Sequence, residues 1–338
     1  MVTVGIIGAG RIGKVHTHSI STLMHNAKIK WIADPFMNDE TARWAKSEGV
    51  EKTTKDYKDI LKDPEVQAVL ICSSTDTHSP LSIEAIEAGK HVFCEKPIDH
   101  DVNKIKAVME CLKKHPNIKY QVGFNRRFDH NFKAVKKAVV EGKIGEPQII
   151  KITSRDPAPP AINYVKVSGG MFLDMTIHDF DMVRFLSNCD AEEVYVQAAV
   201  LVDPEIGKAG DVDTAIITLK MKNGALAVID NSRKAVYGYD QRCEVFGSQG
   251  TINVTNDSPS TAIISNTKGN TSEPYYYFFL ERYLMAYGEE IESFFDAIIN
   301  NKDTPVGVMD GLQPVLMGLA AKKSYEEHRP VKISEIKF

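Results

Sequence analysis

Short apolar runs alternate with longer segments of mixed polarity through the first 123 residues. The first run, Val2 to Ile7, is nearly continuous, which is typical of a strand buried on both faces of a sheet. Similar runs predict further strands at 29–33, 66–72, 91–94 and 118–122. Helical spacing predicts helices at 11–23, 40–47, 79–88 and 102–113. This alternation predicts right-handed crossovers and a parallel, doubly wound α/β sheet.

The pattern changes after about residue 124. Helices are predicted at about 128–141, 171–186, 280–299 and 309–327. Strand-like runs occur at 148–154, 193–200, 214–221, 225–231, 242–246 and 251–254. Asn223-Gly224 lies between two of these runs, and Asn-Gly in that position is a strong hairpin signal. We therefore expect a first domain over residues 1–123 and a second α/β domain over residues 124–338, whose open, mainly antiparallel sheet is half covered by helices.

Composition narrows the functional class. A chain of 338 residues fits two domains better than one, and a net charge of -4 gives no electrostatic reason to expect nucleic acid or an anionic membrane as a partner. No stretch approaches the roughly 18 to 20 uninterrupted apolar residues of a membrane span, and the first residues show no basic leader. The five cysteines are scattered without CxxC spacing, which favours reduced thiols over a disulfide or zinc framework. We expect a cytoplasmic protein.

A glycine motif follows the first predicted strand and opens the first helix. Gly8, Ala9, Gly10, Arg11, Ile12 and Gly13 match GxGxxG. Gly8 permits a tight turn, Gly10 lets the backbone approach a pyrophosphate, and Gly13 allows close helix–strand packing. A plain tight turn is the alternative. In this position the motif predicts a dinucleotide site.

Asp34 follows the second strand, at the spacing expected for a residue that binds the adenosine ribose. Its carboxylate would accept the ribose hydroxyls and repel a 2′-phosphate, and Pro35 provides no compensating arginine. This favours NAD over NADP, although an exposed Asp at a strand end without a ligand is the alternative. Further cofactor contacts are predicted from the segment after the strand at 66–72, at Ser73, Ser74, Thr75 and His78. Ser and Thr are also common loop residues.

Glu95-Lys96-Pro97 lies at another strand end, where a lysine would point into the crevice beside the nicotinamide. The alternative is a surface lysine. In the second domain, Asp174 and His178 are four residues apart on a predicted helix and share one face. Histidine suits removal of a hydroxyl proton near neutral pH, and a lysine ammonium can stabilise the developing alkoxide. A capping pair, or a metal site that includes Asp181, is the alternative; we expect no metal.

Together these segments resemble the Gfo/Idh/MocA oxidoreductases, and within them the inositol dehydrogenases, over almost the whole chain. The resemblance also includes the segment Gly123 to Asp129 and the helix from Asp174 to Asp181. It implies a Rossmann domain that binds NAD, with Glu95 and Lys96 at the cofactor, and a second domain whose open sheet often forms tetramers. It implies Lys96, Asp174 and His178 as catalytic residues. It implies substrate contacts from Lys96, Asp174, His178, Arg126, Asp181 and, more weakly, Tyr237.

The expected function is the NAD-dependent oxidation of a ring hydroxyl of myo- or scyllo-inositol by a homotetramer that binds a small polyol. The segment 154–168 varies among subfamilies, so the sequence leaves the isomer open. An aldose or related sugar as substrate is one alternative, and a glycosidase that acts by transient oxidation is another. A non-catalytic NAD-binding sensor is disfavoured because the lysine and the histidine are both present.

Overall fold

The computed structural model describes residues 1–337. In this range the strands are β1 (Val2–Ile7), β2 (Ala27–Ala33), β3 (Lys52–Thr54), β4 (Ala68–Ile71), β5 (His91–Glu95), β6 (Tyr120–Gly123), β7 (Pro147–Arg155), β8 (Ala191–Ala199), β9 (Thr214–Met221), β10 (Leu226–Ser232), β11 (Asp240–Gly247), β12 (Gly250–Val254), β13 (Ile263–Asn266), β14 (Gly269–Ser272) and β15 (Val331–Lys332). The helices are α1 (Arg11–Leu23), α2 (Asp39–Ser47), α3 (Lys58–Lys62), α4 (Thr75–Glu87), α5 (Val102–Lys114), α6 (His130–Val140), α7 (Ile162–Val165), α8 (Gly170–Asp174), α9 (Thr176–Ser187), α10 (Pro204–Lys208), α11 (Phe279–Arg282), α12 (Leu284–Ile299) and α13 (Val308–Glu327).

The first of two compact units contains residues 1–128 and 284–315. Its six strands form one sheet in the order β3-β2-β1-β4-β5-β6, and every neighbouring pair is parallel. Strand β1 is buried along its whole length, as its continuous apolar run predicts. The predicted parallel, doubly wound sheet is confirmed.

Register aligns the carboxyl ends of the central strands. Ile7 lies opposite Ile71, and Ile71 lies opposite Cys94. Glu95 lies opposite Gly123, where β6 ends. The residues that follow these strands therefore share one edge of the sheet, which is where ligands collect in open α/β folds.

The second unit contains residues 129–283 and 316–337. Its seven-stranded sheet has the order β12-β11-β7-β10-β9-β8-β15; β7 and β10 are parallel, and all other neighbours are antiparallel. Gly224 has a positive φ of 89° in the turn between β9 and β10, as the Asn-Gly signal predicts. The mainly antiparallel sheet is confirmed.

One face of this sheet is covered and the other is open within the chain. Residues of β9 alternate between buried and exposed, and α9 packs on β7 and β10. The opposite face exposes large apolar side chains, among them Ile216, Leu226 and Phe246. This alternation is the burial pattern of a half-covered sheet.

Helix α12 is distant in sequence from the first unit but belongs to it. Its residues Ile291, Phe294 and Phe295 are fully buried in the same apolar cluster as Val4 and Ile6 of β1. The sequence predicts a single domain boundary after residue 123, whereas the structure adds 284–315 to the first unit because this apolar face is buried there.

Local differences from the predicted elements have simple causes. The prediction of one continuous helix over 171–186 is wrong at Met175, where α8 ends and α9 follows. Met175 keeps right-handed helical angles (φ -93°, ψ -61°), so Asp174 and His178 remain about one turn apart. Strands β3 and β15 are too short to give a pattern, and β13 and β14 are exposed at every residue. Among the helices of residues 1–337, none is long and apolar enough to cross a bilayer.

Candidate active site

The glycine loop joins β1 to α1 with little space between loop and helix. Gly8 has a φ of 105°, which favours glycine, and a Cβ on Gly13 would lie 2.0 Å from the carbonyl oxygen of Gly8. A Cβ on Gly10 would meet no atom within 4 Å, so the loop is open there. Gly10 is the N-cap residue of α1 and has no side chain that could cap the helix. The backbone N–H groups of the first turn of α1 are therefore available to a ligand. The loop and helix end fit a pyrophosphate.

Asp34 is held beside this loop. Its Oδ2 accepts a hydrogen bond from the backbone N–H of Ala9 at 2.7 Å, and its Oδ1 accepts one from the N–H of Phe36 at 2.8 Å. Each carboxylate oxygen keeps acceptor capacity after one hydrogen bond. The carboxylate is therefore positioned to accept ribose hydroxyls, and its charge opposes a 2′-phosphate at the same place.

The segment after β4 is tied to the turn after β5 by His78. Nδ1 of His78 lies 2.8 Å from the carbonyl oxygen of Pro97, and its Nε2 lies 3.0 Å from that of Ser73. Burial opposes the charged ring, but Cys94 and these two carbonyls raise the pKa of His78 to about 9. With 2% of its surface exposed, His78 braces the two loops from the interior. Its predicted cofactor contact stays a prediction.

The hydroxyl residues lie at the same sheet edge. Ser73 Oγ is 2.6 Å from Thr77 Oγ1, and Ser74 is the N-cap residue of α4, which begins at Thr75. Ser73 and Thr75 are partly exposed, and Ser74 is exposed. This geometry leaves them as candidates to line a bound cofactor.

Lys96 follows the end of β5 and is partly exposed, whereas Glu95 is buried. The Lys96-Pro97 peptide is cis. Glu95 Oε1 lies 2.7 Å from Nε2 of His16, a residue of α1. Arg126 lies in the 3-10 turn just after β6 and is 3% exposed. The first unit thus brings the glycine loop, the Ser73 segment, Lys96 and Arg126 to one edge.

In the second unit, Asp174 is the last residue of α8 and His178 lies in the first turn of α9. Asp174 Oδ1 accepts a hydrogen bond from the hydroxyl of Tyr164 at 2.9 Å, and its Oδ2 accepts one from Nη2 of Arg233 at 3.2 Å. These contacts fix a carboxylate one helical turn before a partly buried imidazole. A general base with a neighbouring carboxylate requires these two residue types in such proximity, and the catalytic roles of Asp174 and His178 stay predictions.

Arg233 is the residue that sequence reasoning missed. It is 3% exposed and also contacts Asp156, with Nη1 3.4 Å from Oδ2. Although burial opposes its charge, Asp174, Asp156 and Asp211 raise the pKa of Arg233 above its usual value. Arg233 therefore places a permanent cation beside the Asp174 carboxylate. In the sequence, Arg233 is recognisable only as an arginine that follows a predicted strand. Nothing in the neighbouring residues identifies Asp174 and Asp156 as its partners.

Helix α9 is anchored to the sheet through Asn231 of β10. Oδ1 of Asn231 accepts a hydrogen bond from Thr176 Oγ1 at 2.6 Å, and its Nδ2 donates to Asp179 Oδ2 at 2.9 Å. Asp181, a predicted substrate contact, is fully buried on the same helix. The position of His178 therefore follows from the sheet beneath it.

Tyr237 lies on the open face of this sheet. Its hydroxyl donates to Asp240 Oδ2 at 2.6 Å and accepts from Arg155 Nη1 at 3.1 Å. It lines a cleft of about 430 Å³ with Ile216 and Asp230. Asn231 lines the same cleft and also contacts Thr176 and Asp179 of α9. The predicted substrate contact of Tyr237 stays a prediction.

Comparison with known proteins assigns both parts of the chain to one family. Residues 2–124 match the model of the oxidoreductase family with an NAD-binding Rossmann fold, and residues 132–253 match that of the GFO/IDH/MocA C-terminal domain. The chain is 49% identical to myo-inositol 2-dehydrogenase of Thermotoga maritima, over 98% of this chain and 99% of that protein. It is 44% identical to inositol 2-dehydrogenase of Rhizobium meliloti, over 98% and 99%. The crystal structure of scyllo-inositol dehydrogenase from Lactobacillus casei with bound NAD(H) and scyllo-inositol has a TM-score of 0.92 and 31% identity, and 99% of each chain is covered.

The open space at Gly10 predicts a selective loss of cofactor binding. Gly10→Ala has compatible backbone angles (φ -72°, ψ -167°), so its thermal midpoint should stay close to that of the wild type. The added methyl group would obstruct the pyrophosphate, and we expect the dissociation constant for NAD to rise by roughly tenfold or more. Calorimetric titration with NAD measures this. Gly307→Ala, whose Cβ also meets no atom within 4 Å, is the matched control; equal NAD affinity for both variants would contradict the assignment of the loop.

Proposed function

This chain belongs to the Gfo/Idh/MocA oxidoreductase family, and we propose that it is an NAD-dependent dehydrogenase that oxidises a ring hydroxyl of an inositol to the keto-inositol. The observation that carries the proposal is the likeness, over nearly the full length, to a protein named myo-inositol 2-dehydrogenase at 49% identity. The glycine loop and Asp34 in one unit, and Asp174 and His178 in the other, supply the residue types that the reaction needs.

Each residue has a separate task in the proposed mechanism. When bound, NAD accepts the hydride that leaves the substrate carbon. The amides of the glycine loop bind its pyrophosphate, and Asp34 binds the ribose hydroxyls. His178 accepts the hydroxyl proton on a ring nitrogen, while Asp174, held by Tyr164 and Arg233, favours the imidazolium that forms.

Lys96 contributes electrostatic stabilisation. An ammonium group beside the reacting oxygen lowers the energy of the alkoxide as the proton leaves. Arg126 and Asp181 are proposed to contact other substrate hydroxyls. Their charged groups are buried in their own units, where hydrogen bonds to a polyol would be stronger than in water.

Inositol is preferred to an aldose because the similar proteins of known name act on inositols. A redox-type glycosidase remains a weaker alternative.

We expect myo-inositol or scyllo-inositol to reduce NAD, measured as the rise in absorbance at 340 nm. Aldoses should reduce NAD more slowly, and the inositols should reduce NADP more slowly than NAD. Faster turnover of an aldose would reassign the substrate. Release of a glycosidic leaving group without net NADH would favour the glycosidase.

Replacement of the proposed base predicts a large loss of turnover. His178→Ala should lower kcat on the preferred inositol by on the order of 10²-fold or more, since the general base is removed. Steady-state kinetics with NAD in excess measures the loss. His25→Ala, which removes an exposed histidine before β2, is the control and should keep wild-type kcat. If His178→Ala turns over the same substrate at the wild-type rate, the role is wrong.

We further propose a homotetramer that uses the open face of the second sheet. Exposed Ile216, Leu226 and Phe246 make this face apolar, and such patches mark interaction surfaces. Sedimentation equilibrium at micromolar concentration should give four times the chain mass; a monomer would contradict the proposal.

A cytoplasmic location is proposed as well, supported by five free cysteines, which suit a reducing compartment. Cell fractionation tests it.

A further inference from the structure

The interior of the first unit contains a carboxyl group without a role in the proposed reaction. Glu290 of α12 is 0% exposed, and neither of its carboxylate oxygens has a hydrogen-bond partner in the described part of the chain. One of its carboxylate oxygens lies within 4.8 Å of a carboxylate oxygen of Glu95 and of a ring nitrogen of His16. Three elements, α12, β5 and α1, therefore direct polar side chains to one enclosed point.

Among residues 1–337, no side chain donates a hydrogen bond to the Glu290 carboxyl oxygens. His16 directs Nε2 to Glu95, and its ring packs edge-on against Phe93 and Tyr287. Gln121 of β6 donates to the backbone oxygen of Glu290 and to Ser293, away from the carboxyl group. The 3-10 turn that also packs on α12 carries Arg126 and Arg127, but neither donates to the Glu290 carboxyl oxygens. Arg127 pairs with Asp310.

Two enclosed carboxylates this close cannot both be ionised without a cation, because each charge disfavours the other and burial disfavours both. Glu95 already accepts a hydrogen bond from His16 and lies nearer the surface, so it is the better site for the negative charge. One proton on Glu290 removes the second charge and turns Glu290 into a hydrogen-bond donor.

We propose that Glu290 is a positioning residue that stays protonated and donates its proton in a hydrogen bond to Glu95, and thereby fixes the turn that carries Lys96. Glu95 immediately precedes Lys96, and the same carboxylate is bonded to His16 on the helix that opens with the glycine loop. The pair thus connects the proposed phosphate-binding helix to the proposed catalytic lysine. The importance of Lys96 rests on the proposed function; the protonation of Glu290 does not.

The inference has a pH signature. Burial, and then the Glu95 carboxylate, raise the pKa of Glu290 well above its usual value. The thiol of Cys72 also lies close enough to Glu95 and Glu290 for both to affect it. Burial, and then these groups, raise the pKa of Cys72, so the thiol stays neutral. In the unfolded chain Glu290 loses its proton above about pH 4.3, whereas the folded protein keeps it. Stability that is present below that pH is therefore lost progressively as the pH rises.

Glu290→Gln removes this titration and keeps a donor of the same shape. Between pH 5 and pH 8 we expect this variant to become progressively more stable relative to the wild type. The ratio of its folding equilibrium constant to that of the wild type should rise by up to about tenfold for each pH unit, and its thermal midpoint should rise with it. Glu290→Met removes the same titration and should show the same trend even if it is less stable overall. The exposed Glu292→Gln is the control and should show no trend. A difference that is constant with pH for both Glu290 variants would overturn the inference.

The effect on the turn is measured by the reactivity of Lys96. Trace acetylation followed by peptide mass spectrometry should show an unchanged rate at Lys96 in Glu290→Gln and an altered rate in Glu290→Met, normalised to the exposed Lys208. Equal rates in the two variants would show that the donor does not position the turn. On inositol, kcat should fall by roughly tenfold in Glu290→Met, with KM for NAD changed less. If the wild type oxidises no polyol, the proposed function fails, while the acetylation and pH results still decide the role of Glu290.

Discussion

The parallel register of the first sheet is the constraint on which the cofactor half of the site depends. Ile7, Ile71 and Cys94 are aligned across three strands and are almost completely buried. Because both faces of these strands are packed, a slip by one residue would exchange side chains between two fitted faces and disrupt both. The glycine loop, the Ser73 segment and Lys96 follow these strands directly. Their common location is thus a consequence of core packing.

The second unit positions its chemistry through polar contacts in an apolar setting. Arg233 and Tyr164 come from different segments and both bond the carboxylate of Asp174. Asn231 connects α9 to the sheet, and Asp211 accepts from the N–H of Met171 at the start of α8. A buried polar group left unpaired is costly, so each contact restricts the helices to one arrangement. These contacts hold the two helices that carry Asp174 and His178.

The sequence predicted those features of the fold and of the candidate site that local residue patterns encode. Buried parallel strands, the GxGxxG turn and the Asn-Gly hairpin each follow from a few neighbouring residues, and the structure agrees with them. The break at Met175 has no such signal, because the backbone there keeps helical angles. Arg233 and Glu290 could not be found because their meaning lies in partners 59 residues away in one case and on other secondary-structure elements in the other. Long-range charge pairing leaves no periodic trace in a single sequence.

Asp174 and Glu290 lie beside opposite kinds of neighbour. Nη2 of Arg233 is 3.2 Å from Oδ2 of Asp174, so this carboxylate accepts a hydrogen bond from a permanent cation. Glu290 is more deeply buried and faces another carboxylate, so the neutral form is the stable one and can donate where Asp174 accepts. The nearest charge that the fold supplies therefore decides the hydrogen-bonding part of each acid. In the proposed mechanism, Asp174 accepts hydrogen bonds beside the proposed base, whereas Glu290 is a neutral donor behind Lys96.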